Sequence, residues 1–166
     1  MSDEEQEPLT PQATLDQKYM KLALEQAELA AQIGEVPIGA VVVCDGKVVA
    51  AAHNRREIDN DPSAHAEFLA MQEASKKLGR WRLSGCTVYV TLEPCLMCAG
   101  LMVNARIDRC VFGAFDPKGG ATGTLFDVSS DSRLNHEFAV SGGVLAEEAS
   151  AQLKAFFKER RQVNKL

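Results

Sequence analysis

The middle of the chain switches repeatedly between two backbone periods. "GKVVAAAH" reads as a strand and Ala64 to Leu78 as a helix. "TVYVTL" reads as a strand again, Pro94 to about Asn104 as a helix, and "RCVFGA" as a strand. A strand-helix-strand-helix-strand run brings its strands into one sheet and lays the connecting helices across the faces.

The flanks extend this frame. From Thr14 to Ile33, Tyr19, Ala23, Ala27 and Ala30 recur at three- and four-residue steps, and Thr14 with Gln17 resembles a capping box. "IGAVVVCDGKVVAAAH" holds two β-rich runs joined through Asp45-Gly46, a hairpin signal. After the fourth strand comes a long loop, "FDPKGGATGTLFDVSSDSRLNH", with several glycines but no phosphate-loop or dinucleotide pattern. A short strand in "EFAVSGGV" and a helix from Leu145 to Gln162 close the chain. The order α-β-β-α-β-α-β-β-α predicts an α/β fold, a mixed five-stranded sheet with helices on both faces. Residues 1–13, acidic and Pro-containing, read as a disordered tail, and residues 14–166 as a single domain.

Composition narrows the function classes. No apolar run approaches the roughly 18 residues that span a bilayer. The first residues lack an apolar stretch behind a basic start, so they do not read as a secretory signal. Five cysteines, an odd number, argue against a disulfide framework and for a reducing, cytoplasmic setting. Cys44, Cys86 and Cys110 lie in apolar, strand-like runs and read as small buried hydrophobes. A net charge of −5 does not advertise nucleic-acid binding, which leaves a local basic patch to be sought.

Cys95 and Cys98 need a different account. They follow Pro94, well suited to a first helical position, just past an apolar strand. In a helix's first turn they share one face, and the helix dipole favours thiolates. A strand feeding such a turn also builds dithiol redox motifs. The chain offers three histidines, His53, His65 and His136, and His65 sits in "DPSAHAEF", where Ser63 can cap a helix. Two helix starts at the carboxyl ends of neighbouring strands would then face one point. His65, Cys95 and Cys98 supply three ligands, which leaves a tetrahedral zinc one open position, as a catalytic site requires. A structural site would want a fourth ligand.

Glu67 adds the acid–base partner. A carboxylate beside a zinc-bound water can take its proton and pass it on. On an ideal helix, at about 100° per residue, His65 and Glu67 point about 200° apart. Their pairing therefore requires the metal to lie against the helix end rather than its flank.

"HAE" at 65–67 with "PCLMC" at 94–98 resembles the signature of the zinc-dependent nucleobase deaminases. The phrases "EVPIGAVVV", "HNR", "VTLEPCLMCAGLM", "RIDRCVFGAFDPKGGATGTLFDV" and "LNH" resemble, within that family, the bacterial tRNA-specific adenosine deaminases. The resemblance spans about Met20 to Gln162. It implies a cytidine-deaminase-like three-layer sandwich, a homodimer and one zinc ion (Zn²⁺) per subunit. The implied reaction is hydrolytic conversion of adenosine to inosine at the wobble position of a tRNA anticodon, typically the arginine tRNA. Zinc-activated water would attack C6 with Glu67 as proton shuttle. By the same resemblance Asn54 contacts the flipped nucleoside, and Asp116, Lys118, Phe157, Arg160 and Arg161 lie near the anticodon loop. One departure stands at Gly119: the chain reads Lys-Gly-Gly-Ala where the family often has Lys-Thr-Gly-Ala.

Local charge is compatible with RNA despite the negative total. "FFKERRQVNK" gathers Lys158, Arg160, Arg161 and Lys165 beside Phe156 and Phe157, cations for phosphates and a ring for stacking, with the other ring assigned to the core. Basic residues also suit any helix C-terminus. Three alternatives stay open at the level of sequence. The first is a zinc deaminase of free nucleobases or nucleosides, of guanine or cytosine type. The second is a non-catalytic zinc-stabilised RNA-binding module, and the third a thiol oxidoreductase using Cys95 and Cys98.

Overall fold

The computed structural model describes residues 7–164. Nine elements follow one another as α1 (Pro11–Gln32), β1 (Gly39–Cys44), β2 (Lys47–His53), α2 (Ala66–Leu78), β3 (Cys86–Leu92), α3 (Leu96–Ala105), β4 (Arg109–Ala114), β5 (Ala139–Ser141) and α4 (Ala146–Val163). The predicted order is observed. The first helix starts earlier than expected. Thr10, not Thr14, is its N-cap and accepts a hydrogen bond from the Ala13 amide, so residues 11–13 of the expected tail are helical. The remainder of that tail at residues 1–6 lies outside the described residues, as does Lys165.

The five strands form one mixed sheet in the order β2-β1-β3-β4-β5. The β1-β2 hairpin turns on Asp45 and Gly46, both at positive φ (51° and 71°), as a two-residue turn between twisted strands demands. β3, β4 and β5 run parallel. No helix links β4 to β5. The long loop at 115–138 makes that crossover itself, and so passes over the carboxyl ends of the parallel strands.

Strand alternation sorts the core into two layers. Ala40, Val42, Val88, Val90, Cys110 and Phe112 meet Ala66, Ala70, Met71 and Ala74 of α2 and Met102 and Val103 of α3. Val41, Val43, Tyr89 and Val111 face the other way, onto Tyr19, Met20 and Ala23 of α1. Full burial of the valine, methionine and phenylalanine side chains among them stabilises by about 1.5–3 kcal/mol each. Cys44, Cys86 and Cys110 are buried, as their apolar surroundings predicted. α1 approaches β1 so closely that a Cβ at Gly39 would collide with the Ala23 carbonyl. Among the described residues no helix is long and apolar enough to cross a membrane. The arrangement is the three-layer, cytidine-deaminase-like α/β sandwich with helices on both faces of a mixed five-stranded sheet.

β2 and β3 end at the same edge of the sheet but are not neighbours. β1 runs between them in the opposite direction. Its amino end, entered through Val36 and Ile38, therefore floors the gap between the starts of α2 and α3.

Candidate active site

Both ligand-bearing helices begin later than the sequence suggested, and on the ligands themselves. His65, not Ser63, is the N-cap of α2. Ser63 instead donates from its amide and its hydroxyl to Asp61 Oδ1, at 2.8 and 2.7 Å. Cys95 is the N-cap of α3, so Pro94 precedes the helix, and Cys98 falls in its first turn. N-cap side chains usually accept a hydrogen bond from the first turn, a role worth about 1 kcal/mol. Neither His65 nor Cys95 makes one. Both side chains turn toward each other instead.

The resulting geometry suits a metal ion. The ligand atoms of His65, Cys95 and Cys98 all lie within 4.8 Å of one another. Both sulfurs are 3.6 Å from His65 Nδ1. Zinc–sulfur bonds of about 2.3 Å and zinc–nitrogen bonds of about 2.0–2.1 Å, meeting at a tetrahedral angle, place sulfur and nitrogen about 3.6 Å apart. His53 and His136 stand elsewhere, bonded to Gln26 and to the Ile107 carbonyl.

The electrostatics point the same way. Hydrogen bonds from Cys98 and His65 hold the Cys95 thiol far below its ordinary range, against burial. The Cys95 sulfur and burial together push Cys98 far above it. One thiolate thus forms readily, whereas the second has no partner to offset its charge. A divalent cation is the group that would take both protons off. Glu67 is 3% exposed, and burial lifts its carboxyl to about 7. His65, as an N-cap with extended backbone (ψ 149°), stands outside the helical turn that carries Glu67. The 200° separation of an ideal helix does not apply, and the three candidate ligands gather against the helix end.

These groups open onto a cavity of about 270 Å³. His65, Glu67 and Cys95 form one side and Val36, Ile38 and Leu92 the floor. Asn54 lines it too, 4% exposed, its amide donating to the Val36 carbonyl at 3.2 Å and its oxygen accepting from the Arg56 amide at 3.1 Å. Asp116 and Phe157 complete the rim with Arg56 and Glu93.

Other expected contacts do not reach the cavity. Lys118 lies in the loop beyond Asp116, whose Oδ1 accepts from the Lys118 and Gly119 amides at 3.0 and 3.1 Å. Arg160 turns back to donate to the Gly34 carbonyl, with its guanidinium 5.1 Å from the Phe156 ring centre. Arg161 is exposed on α4. Neither phenylalanine is core, a correction to the sequence reading: Phe156 is half-buried and Phe157 is 45% exposed. α4 buries only Ala149, so its aromatic side chains sit on the surface of the sandwich rather than inside it.

Glu93 and Arg56 escaped the sequence reading. For Glu93 a signal existed in a carboxylate at the carboxyl end of an apolar strand, directly before the cysteine motif.

The profile of the MafB19-like deaminases matches residues 15–161. A tRNA-specific adenosine deaminase of Bacillus subtilis is 53% identical over 152 residues, which cover 92% of this chain and 94% of that protein. This chain belongs to the tRNA-specific adenosine deaminase family. A solved structure from work on A-to-I editing by tRNA:A34 deaminases at the wobble position superposes with a TM-score of 0.79 at 44% identity. It covers 82% of this chain and 99% of its own. A guanine deaminase of Bacillus subtilis is more distant, with a TM-score of 0.58 and 35% identity, covering 64% of this chain and 69% of its own. Family membership thus separates this chain from a free-base deaminase that shares the fold.

Proposed function

We propose that this protein is a zinc-dependent hydrolase that deaminates adenosine to inosine at the wobble position of a tRNA anticodon. The observation that carries the reading is a group of three residues able to hold a metal, beside a buried carboxylate that lines the same cavity, in a chain of this family. His65, Cys95 and Cys98 would hold one zinc ion per subunit. What zinc supplies there when bound is a water acidified enough to attack near neutral pH.

The protein's own groups do the rest. Glu67, poised near neutrality, accepts a proton from the attacking water as oxygen adds to C6 of adenine. It passes that proton to N1, takes the second from the new C6 hydroxyl and gives it to the amino nitrogen, which leaves as ammonia when the C6–N bond breaks. Adenosine and water thus become inosine and ammonia. Asn54, held from two sides by backbone, retains one N–H and one lone pair to orient the nucleoside. An adenine enters such a pocket only when unstacked, as it is in a single-stranded anticodon loop. Asp116 and Phe157 would border the flipped base. Lys118, Arg160 and Arg161 would meet the phosphates beyond it, on the anticodon stem-loop of, most typically, the arginine tRNA.

Two further expectations belong to this reading. The protein pairs as a homodimer, which an apolar side of α3 supports: Leu96 is 51% exposed and Met97 and Leu101 are half-buried. Light scattering at a mass near 18 kDa would contradict it. It works in the cytoplasm, where ligand thiols stay reduced. The RNA-binding-module alternative gives Glu67 no task, and the oxidoreductase alternative leaves His65 unexplained.

The test is to incubate unmodified tRNA with the protein and sequence the anticodon loops. Inosine reads as guanosine, so the changed position identifies substrate and product together. Turnover of free guanine or cytosine with tRNA unchanged would reverse the reading.

A further inference from the structure

Glu93 is an almost wholly enclosed acid beside the candidate metal ligands. It follows the last residue of β3, is 2% exposed, and enters none of the ion pairs among the described residues. Its charge is met by four donors instead. Oε1 accepts from the Asp116 amide at 3.1 Å and from the Thr124 hydroxyl. Oε2 accepts from the amides of Thr122 and Thr124 at 3.2 and 3.1 Å. All four come from one stretch, 116–124. A carboxylate has about four acceptor directions, and bonds to an ionised acceptor are the strong ones. The loop is folded around this group as a shell.

Two details make the shell specific. A Cβ at Gly120 would collide with the Glu93 carboxylate, so the loop closes on it without a gap. The Ala121 amide donates to the Pro94 carbonyl at 2.8 Å, which ties the same loop to the residue before Cys95. Without a helix between β4 and β5, little apolar packing fixes the start of this crossover. Residues 117–120 and 123–127 are exposed or half-buried apart from Gly120. The carboxylate supplies the fixing that a helix would otherwise give.

We propose that Glu93 is a positioning residue for the substrate, acting through the 116–124 loop. It holds Asp116 at the cavity wall and so sets how tightly, and in which orientation, the adenosine of the anticodon loop is seated. The inference rests on the deaminase reading above. The chemical step is separate: His65, Cys95, Cys98 and Glu67 stand on the starts of α2 and α3, not on this loop.

The test uses the full chain with zinc bound and an anticodon stem-loop as substrate. Glu93→Gln keeps the shape but aims an amino group at amide donors. KM should rise about ten- to a hundredfold while kcat stays within a few-fold and zinc stays at one per chain. Hydrogen exchange at the amides of Asp116, Thr122 and Thr124 should accelerate. Gly120→Ala, which displaces the carboxylate without removing it, should show the same KM-selective loss, and it keeps the test alive if Glu93→Gln folds poorly. An unchanged KM in both variants overturns the proposal. So does a fall in kcat at constant KM, or loss of zinc, which would place Glu93 in the metal centre. If the parent protein leaves the stem-loop unchanged, the deaminase reading itself fails. The exchange measurement still reports whether the carboxylate clamps the loop.

Discussion

The starts of α2 and α3 and the carboxyl half of α4 both supply side chains to one cavity, yet they are built in opposite ways. At the helix starts every group is set by backbone. His65 and Cys95 are N-caps, Glu67 and Cys98 fall in first turns, and Glu67 and Cys98 are 3% and 0% exposed. α4 buries a single residue, Ala149, and reaches the cavity with the 45%-exposed ring of Phe157. Its cations stand on long, rotatable chains. Proton transfer tolerates little displacement, so its groups are fixed on rigid elements. An RNA backbone is met by charges that act over a Debye length of about 8–10 Å, which leaves those side chains free to adapt.

The largest effect lies at the centre. Cys98→Ala removes a fully buried thiol, one of the three proposed ligands. Zinc and activity should be lost together, with the loss read by metal analysis and stem-loop turnover. Full activity without metal would erase the distinction between centre and rim.

Glu67→Gln comes next. General acid–base groups contribute about 10²–10⁴-fold, and in the proposed reaction Glu67 would serve both attack and departure, so kcat should fall by at least the upper figure. Zinc content and stem-loop affinity should hold, because shape and ligands are kept. Turnover within tenfold of the parent would remove Glu67 from the proton path.

A largely buried pair at the opposite edge of the sheet, where β4 starts, sharpens the contrast from the other side. Asp16 of α1 receives Arg109 Nη1 and Nη2 at 2.8 and 2.7 Å and the Tyr89 hydroxyl at 2.8 Å. α4 rests on this helix, with Gln152 donating to the Leu24 carbonyl. Burial pushes the Asp16 carboxyl up, but hydrogen bonds from Arg109, Tyr89 and Gln12 outweigh it and hold the group below its ordinary value. The stability this contributes is fully present above the unfolded value near 3.8 and is lost as pH falls through the lower folded value. Asp16→Asn leaves Arg109 without its partner. It should cost about 2–3 kcal/mol, less than the roughly 3–5 kcal/mol for a fully buried pair, because Arg109 keeps some access to water. Tm should drop by roughly 5–10 °C at pH 7, and the parent's loss of stability below pH 4 should flatten in the variant. The kcat of the folded fraction should not move. A fall in kcat would show that α1 and the centre are one mechanical unit.

The same contrast explains what the sequence revealed. Element order followed from local period and from Asp45-Gly46, and the ligand motifs are compact enough to be seen in eight residues. The starts of α2 and α3 differ from the expected Ser63 and Pro94 because their true caps are a histidine and a cysteine diverted to the cluster, whereas α1 simply begins one turn earlier, on Thr10, an equally good cap. Glu93 bonds to residues 23 to 31 positions ahead, and Asp16 to Arg109, 93 positions ahead. No window along the chain brings such partners together. At α4 the composition overstated the site. A run of cations and rings on one helix end does not say which faces inward, and only Phe157 meets the cavity.

The smallest effect tests the rim directly. Arg160 stacks on Phe156 and donates to the Gly34 carbonyl, so its removal disturbs structure as well as charge. Arg161, exposed on the same turn, tests charge alone. Binding is measured in the Glu67→Gln background, where the stem-loop stays intact, across a series of salt concentrations. Each phosphate contact on single-stranded nucleic acid contributes about 0.7 to the slope of log affinity against log salt. Arg161→Ala should lower that slope by about this amount and weaken binding a few-fold near 0.1 M salt. Arg160→Ala should weaken binding more for a similar change in slope, because the surplus comes from the lost stack and the freed carbonyl, which salt does not screen. In the active enzyme both should raise KM and leave kcat at saturating substrate unchanged. If Arg161→Ala lowers kcat instead, α4 takes part in aligning the reacting base, and the division between a fixed centre and an adaptable rim does not hold.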